Sequence, residues 1–384
     1  MKKITMILMI AVGATSVVFG QTKISGAEKS KSRQVKIRAL GAIFWLLAFV
    51  SASPLAQNIL AQDKKYSVVA VEPQGAKLGF YDPNTGAKIG SVAIGFKPHE
   101  VEISADGKTA YVANFGIEDY DHHIGTPGTT ISVIDIPKMR EKFKLSTENV
   151  KMPDGTVVTG KGPHGIKLRP AKETELFVNT EFGGDRMLVY DVKKRTLKRS
   201  FAIPTGSHNF IFSPDGKFLY LFAGSNGVFK IDPDTGKTLA QIKLSTPARG
   251  LHYTTDNRYI IAAGSGEVAL LNTENLAVER RFENLGVGQI LYPKPTPDGK
   301  YIFLPAVNDS LLAVLDINSG KVIHRLDVGK TPIAVAISPD GNTAYVSSHT
   351  DTYFNSIDLK TFEFKKFAET GGSNGIGIGK RVRR

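Results

Sequence analysis

The stretch Val335-Ala-Ile-Ser-Pro-Asp340-Gly-Asn-Thr-Ala-Tyr-Val-Ser-Ser-His349 decides the fold. An apolar strand, a Pro-Asp-Gly turn and a second apolar strand read as a β-hairpin. The wording recurs at Val101-Glu-Ile-Ser-Ala-Asp106-Gly-Lys-Thr-Ala-Tyr-Val-Ala-Asn114, Phe210-Ile-Phe-Ser-Pro-Asp215-Gly-Lys-Phe-Leu-Tyr-Leu221 and Pro295-Thr-Pro-Asp298-Gly-Lys-Tyr-Ile-Phe-Leu304. Between these hairpins runs a second pattern, a short apolar strand ending in Asp or Asn. Its acidic or amide ends are Asp82, Asp135, Asp191, Asp232, Asn272, Asp316 and Asp358, spaced 53, 56, 41, 40, 44 and 42 residues apart. A period of 40–45 residues in a strand-rich chain is the signature of a β-propeller. Turns such as Asp82-Pro-Asn-Thr-Gly86 and Asp232-Pro-Asp-Thr-Gly236 explain the acidic residue: its carboxylate accepts backbone N–H groups, and Gly supplies the positive φ.

Two hairpins per repeat make four strands. One such sheet cannot bury both faces, so the sheets stack radially and the ring closes. The closure is also written in the chain. The last repeat ends in Ser373-Asn-Gly-Ile-Gly-Ile378 without a partner strand, and Tyr66-Ser-Val-Val-Ala-Val71 is an orphan strand at the start. Their pairing completes a seventh blade from both ends of the domain. The expectation is all-β: one seven-bladed propeller of four-stranded antiparallel blades over residues 64–379, with residues 1–61 as an export region and 380–384 as a basic, solvated tail.

Residues 1–61 contain two signal-like segments: Lys2-Lys3 followed by an apolar run from Ile4 to Phe19, and Arg33, Lys36 and Arg38 followed by an apolar run from Ala39 to Ala52. Each run is shorter than a membrane-spanning helix requires. The second abuts the domain and is taken as the working signal, with cleavage after Ala52, Ala56 or Ala61; the first is then surplus or a retained membrane anchor. The expected location is the periplasm or the extracellular medium. The formal charge of +13 belongs mostly to the ends: residues 1–61 carry eight Lys or Arg against one Glu, and the tail adds Lys380, Arg381, Arg383 and Arg384. A body so nearly neutral argues against nucleic acid as a partner, which wants a concentrated basic surface. The expected partners are a small molecule or a protein of the envelope or extracellular space.

Cysteine is absent, so disulfides, thiolate metal sites, a Cys nucleophile and c-type haem attachment are excluded. The single tryptophan, Trp45, lies in the export region, which argues against a tryptophan-derived quinone. No Gly-x-x-x-x-Gly-Lys-Ser/Thr nucleotide loop occurs.

The repeats resemble the YVTN family of β-propellers. Tyr111-Val-Ala-Asn114 and Tyr345-Val-Ser-Ser348 stand at the defining position. The resemblance covers residues 64–379 and implies that the strand before each Ser-Pro-Asp-Gly turn is innermost and lines the central channel. It does not select a function: similar propellers serve as surface-layer modules, haem or copper domains, quinoprotein subunits and lactonases.

Aligning the inner strands on their turns places one residue per blade, five before the turn's Ser, at the channel mouth. These are His99, His164 and His208 in blades one to three, Arg249 in four, Ile333 in six and Asn374 in seven; an insertion near Gln289 leaves the register of blade five ambiguous. Only eight histidines occur in the chain, and three fall at this one position. Converging imidazoles are suited to zinc, copper or iron. They equally suit contact with an anionic ligand, or hydrogen bonds to neighbouring loops. Glu100 follows His99, and Glu181 in Asn179-Thr-Glu181 shares the same face as a fourth ligand or a general base, or else pairs with Arg186. His349, from the last blade's loop, and His122 and His123, from a long insertion over Phe115–Thr130, are further ligand-binding candidates, with Arg249 and Asn374. Two readings stand: a binding module that holds a small ligand or partner at this face, with or without a divalent ion; and a metal-dependent enzyme, a lactonase-like hydrolase or an oxidoreductase, with Glu181 or Glu100 moving protons.

Overall fold

The computed structural model describes residues 65–118 and 124–382. The two export-like segments, His122, His123 and the last two arginines lie outside the described residues. Among the described residues there is no helix. Seven four-stranded antiparallel sheets make up the molecule, together with a two-stranded hairpin, Val150–Lys151 with Val157–Val158, inserted after blade one.

Within each blade the strands follow chain order from the inside outward. Blade one runs Pro98–Ile103, Thr109–Asn114, Thr130–Asp135 and Arg140–Ser146. The inner strands of the next five blades are Lys161–Arg169, Asn209–Phe212, Gly250–Tyr253, Lys294–Pro295 and Pro332–Ile337. Blade seven is assembled from both ends: Ile376–Lys380 is innermost and pairs antiparallel with Tyr66–Glu72, in the register Val68↔Ile378 and Ala70↔Ile376. Lys380 is therefore the last residue of a strand, with its N–H on Gly107 O at 2.7 Å, and Val382 beyond it is buried with its N–H on Ser67 Oγ. The chain expected to be a solvated tail is anchored for these residues.

Apolar side chains alternate to both faces of the middle strands because each blade is covered on both sides. Tyr111, Ile131 and Val133 of blade one pack against Ile166, Leu176 and Val178 of blade two in one cluster. Blade seven's Val69, Val71 and Phe80 pack in the same way on Val112 and Ile134. Burying each such side chain contributes about 1.5–3 kcal/mol, and the stacking supplies it at every blade boundary. The last boundary is also held by Tyr66 and Tyr345, whose hydroxyls meet at 3.0 Å across the closing blade.

Candidate functional site

A β-bulge shapes the mouth of the inner strands. The ladder of blade one slips between Pro98 and Val101, and that of blade two between Pro163 and Ile166. The slip frees His99 and His164 from regular alternation. Their imidazoles stack at a centroid distance of 4.4 Å, and His164 stacks in turn on His208 at 4.1 Å. Phe115 closes the stack edge-on, 4.9 Å from His164 and 5.6 Å from His99. The histidines placed at one register in the sequence thus form a continuous row.

Two carboxylates bracket the row. Glu181 Oε1 lies 3.0 Å from His208 Nδ1 and 3.6 Å from His164 Nδ1. Glu100 Oε1 lies 3.6 Å from His99 Nδ1, an ionic contact rather than a hydrogen bond. Arg186, the other partner considered for Glu181, donates to Ser200 Oγ at 3.2 Å. His164 Nδ1 is 3.0 Å from His208 O. Only an N–H can bond a carbonyl, so Nδ1 carries the proton and Nε2 the lone pair. His99 Nδ1 is buried and has no hydrogen-bond partner among the described residues.

Charge is rationed here. Burial pushes the Glu100 carboxyl upward, but His99 beside it, together with Lys167 and Tyr292, outweighs burial and holds it below its ordinary value. Burial pushes His349 downward, against the Asn374 amide oxygen that accepts from its Nδ1 at 2.5 Å.

The histidines line one cavity of about 350 Å³, whereas Glu100 and Glu181 are not part of its wall. His99, His164, His208, Asn374 and Ile333 all contribute to its wall, as the alignment on the turns placed them, and His349 joins them from the last blade's loop. Arg249 does not; it is half-buried, and its N–H bonds Ala263 O at 2.7 Å. Blade five is now in register. Its Thr296-Pro-Asp-Gly turn puts Leu291 five residues upstream, while Gln289 bridges to Ser265 outside the inner strand. Leu291 and the adjacent Tyr292 line the cavity. Tyr292 was missed in the sequence because the insertion hid its position. Its hydroxyl accepts from Asn209 Nδ2 at 3.4 Å, and burial, reinforced by Glu100, raises its pKa well above the ordinary value. Lys97, at the rim, was also missed; it reaches Gln74 at 2.8 Å and Glu118 at 3.1 Å. The described part of the first insertion does rise over this face: Phe115, Ile117 and Glu118 belong to the wall.

Gly165 makes the close packing feasible. A Cβ there would fall 2.3 Å from Asn179 Oδ1 and 2.5 Å from Asn209 Oδ1, so only glycine lets both amides approach behind the histidines.

The three histidines do not form a ligand set by themselves. The groups whose donor atoms lie within 4.8 Å of one another are His99, Glu100 and His164, and His164, Glu181 and His208, with His164 common to both. Two imidazoles and a carboxylate suit a divalent transition ion, whose bonds of about 2.0–2.2 Å place neighbouring ligand atoms roughly 3.3 Å apart. The 3.0 Å and 3.6 Å separations around Glu181 fall on either side of that value, but they are measured to the Nδ1 atoms, and His164 Nδ1 would have to give up its proton and its bond to His208 O to serve as a ligand.

Solved structures with the same architecture are diverse. The periplasmic gluconolactonase of Pseudomonas aeruginosa is 18% identical, with a TM-score of 0.64, covering 83% of this chain and 99% of that one. The hydrazine synthase of Kuenenia stuttgartiensis is 20% identical, with a TM-score of 0.58, covering 76% and 91%. The dihydro-haem d1 dehydrogenase NirN is 15% identical, with a TM-score of 0.59, covering 82% and 75%. At such identities the likeness is one of fold. No curated protein matches the chain. A family model described as outer membrane protein assembly factor BamB matches residues 224–360. The model of the seven-bladed β-propeller lactonases matches residues 59–285, more than half of the chain, and the chain belongs to that family.

Proposed function

We propose that this protein hydrolyses a cyclic ester in the cavity at the channel mouth, outside the cytoplasm. The observation that carries the reading is the row of three imidazoles bracketed by Glu100 and Glu181 on the wall of a 350 Å³ cavity. Membership of a lactonase family supports it, but fold is shared by many activities, and the site is the stronger argument.

Glu181, with Oε1 3.0 Å from His208 Nδ1, favours a proton on that nitrogen by charge, which leaves Nε2 to take a proton from water. The water oxygen bonds to the ester carbonyl carbon. The ring C–O bond then breaks, and the departing alkoxide takes a proton from the His99 imidazolium, which Glu100 stabilises. Base and acid thus sit at opposite ends of one row, each beside its own carboxylate. The Tyr292 phenol stays protonated and offers an O–H at the wall. The apolar wall of Phe115, Ile117, Leu291 and Ile333 suits the ring carbons.

The test is a pH-stat assay of purified protein on a panel of lactones, with His208→Ala and Glu181→Gln beside the wild type. Turnover in the wild type, lost in both variants at an unchanged melting temperature, supports hydrolysis. No turnover of any lactone would leave a ligand-binding propeller.

A second reading has its own observation, the spacing of ligand atoms around Glu181. His164, Glu181 and His208 would hold a divalent ion, which supplies Lewis acidity toward a carbonyl oxygen when bound. Elemental analysis of untagged protein from its export compartment, beside a His164→Ala/His208→Ala double variant, decides it. One equivalent of zinc, copper or iron, lost in the variant, supports the ion; none in either protein after incubation with those metals removes it.

A further inference from the structure

Below the histidines the channel has a second polar tier that the proposed chemistry does not use. Residues four and two before each turn point to the same side of an inner strand, because side chains alternate with period two. The upper of these levels carries Glu100, Asn209 and Tyr292. The lower level, about 7 Å further down the channel, carries Glu102, Lys167, Ile211, His252, Lys294 and Ala336 in blades one to six.

Two of these are ammonium groups, and they are treated differently. Lys167 Nζ lies 3.3 Å from Glu102 Oε2, and Glu102 also accepts the Leu168 N–H at 3.1 Å. Burial works against the Lys167 charge, but Glu102 and Glu100 outweigh it. No carboxylate among the described residues is paired with Lys294, although Glu102 supports its charge from further away. The one hydrogen-bond partner of Lys294 among the described residues is His252 Nε2, at 2.9 Å. That nitrogen is an acceptor only, because His252 Nδ1 donates to Tyr253 O at 2.8 Å and so holds the ring's proton. Of the three N–H donors of Lys294, one is satisfied, and the remaining two have no protein acceptor among the described residues. Every other half-buried or buried lysine near the channel is compensated: Lys97 by Glu118 and Gln74, Lys167 by Glu102.

We propose that this second tier is a binding site for a small monoanion, a halide or a carboxylate, seated on Lys294 and drawn also by Lys167. A half-buried ammonium with unused donors gains from a counter-charge that reaches it. Glu102, the nearest source of repulsion, is neutralised by its own lysine and backbone N–H. Ile211 and Ala336 complete the level without charge, which favours a small anion over a strongly hydrated dianion. The groups facing Lys294 are His252 from blade four, Lys167 from blade two and Glu102 from blade one. Burial, then Lys167, brings Lys294 down to about 8, and burial, then Lys294, brings His252 down to about 3. The ring therefore stays neutral as an acceptor while the ammonium titrates near neutrality. Anion binding is present below about pH 8 and weakens above it, as Lys294 loses its proton.

Chloride NMR line broadening on the full chain tests this, with acetate and a longer hydroxy acid as competitors. No lactone is involved, so failure here is separate from failure of the hydrolysis reading. The expected result is saturable broadening near neutral pH, reversed by acetate, reduced about ten-fold or more one to two pH units above the Lys294 pKa. Lys294→Met abolishes it and Lys294→Arg retains it. Displacement by acetate alone marks a free-ion site; tighter displacement by the hydroxy acid marks the carboxylate of a ligand reaching down from the upper cavity. No saturable broadening in the wild type overturns the proposal. So does equal broadening in a natively melting Lys294→Met; should that variant not fold, the pH and acetate arms on wild type decide alone.

Discussion

The two ends of each inner strand teach different things. At the turn end five of the seven blades are nearly identical. Ser104 Oγ donates to Asp106 at 2.8 Å, Ser213 to Asp215 at 2.7 Å, Thr254 to Asp256 at 2.6 Å, Thr296 to Asp298 at 2.6 Å and Ser338 to Asp340 at 2.5 Å. In each the same Asp also accepts a backbone N–H two residues on, so the motif satisfies itself and asks nothing of its neighbours. At the mouth end, five residues away, the ring is uneven: histidine in three blades, then Arg249, Leu291, Ile333 and Asn374. There each side chain is answered by another blade, as Glu181 of blade two answers His208 of blade three. Repetition marks what the ring needs to stand, and departure from it marks where the chemistry is placed.

The contrast can be broken in descending order of effect. Deleting residues 65–72 removes the strand that closes blade seven, and the whole ring should lose its cooperative melting transition in calorimetry; a native transition in the truncated chain would mean that closure is not needed. At the mouth, His208→Ala or Glu181→Gln should lower lactone turnover by about 10²–10⁴-fold, the usual range for a general base, while leaving the melting temperature near that of wild type. A stability loss as large as the activity loss would show that the row is structural. At the turn end the expectation reverses: Asp215→Ala should cost on the order of 1 kcal/mol in denaturant unfolding and leave turnover unchanged.

The turns also set the acid limit. Backbone and Ser or Thr donors hold Asp106, Asp215 and Asp256 down to about 2. Since these folded values lie below the unfolded one, their contribution is present above about pH 4 and is lost as pH falls toward 2. Acid unfolding followed by circular dichroism should show this window, and Asp215→Ala should flatten it. The smallest effect sharpens the map of the site. Arg249→Ala should change neither kcat nor KM beyond about two-fold, because Arg249 shares the register but not the cavity wall; a large KM rise would extend the site to blade four.

How much was legible follows from the same contrast. Self-contained turns announce themselves in a single repeat, so the number of blades, the four strands each and the terminal closure could be read directly. Aligning on those turns then located the row of histidines, Asn374 and Ile333. The method failed at blade five, where extra residues before Tyr292 broke the count and Gln289 was weighed in place of Leu291. It could not choose between Arg186 and the histidines as the partner of Glu181, because both lie within reach along the chain. Lys294 and His252 carry no local signal at all, since their pairing crosses from one blade to the next.

The sequence by itself determined the propeller, its closure and which residues face the channel mouth, because strand alternation and turn chemistry act over a few residues and repeat. The tertiary structure alone decided which of those residues meet. The stacking of His164 between His99 and His208, the carboxylate at each end, and the ammonium without a counter-charge below them all depend on distances between blades, which no spacing along the chain encodes.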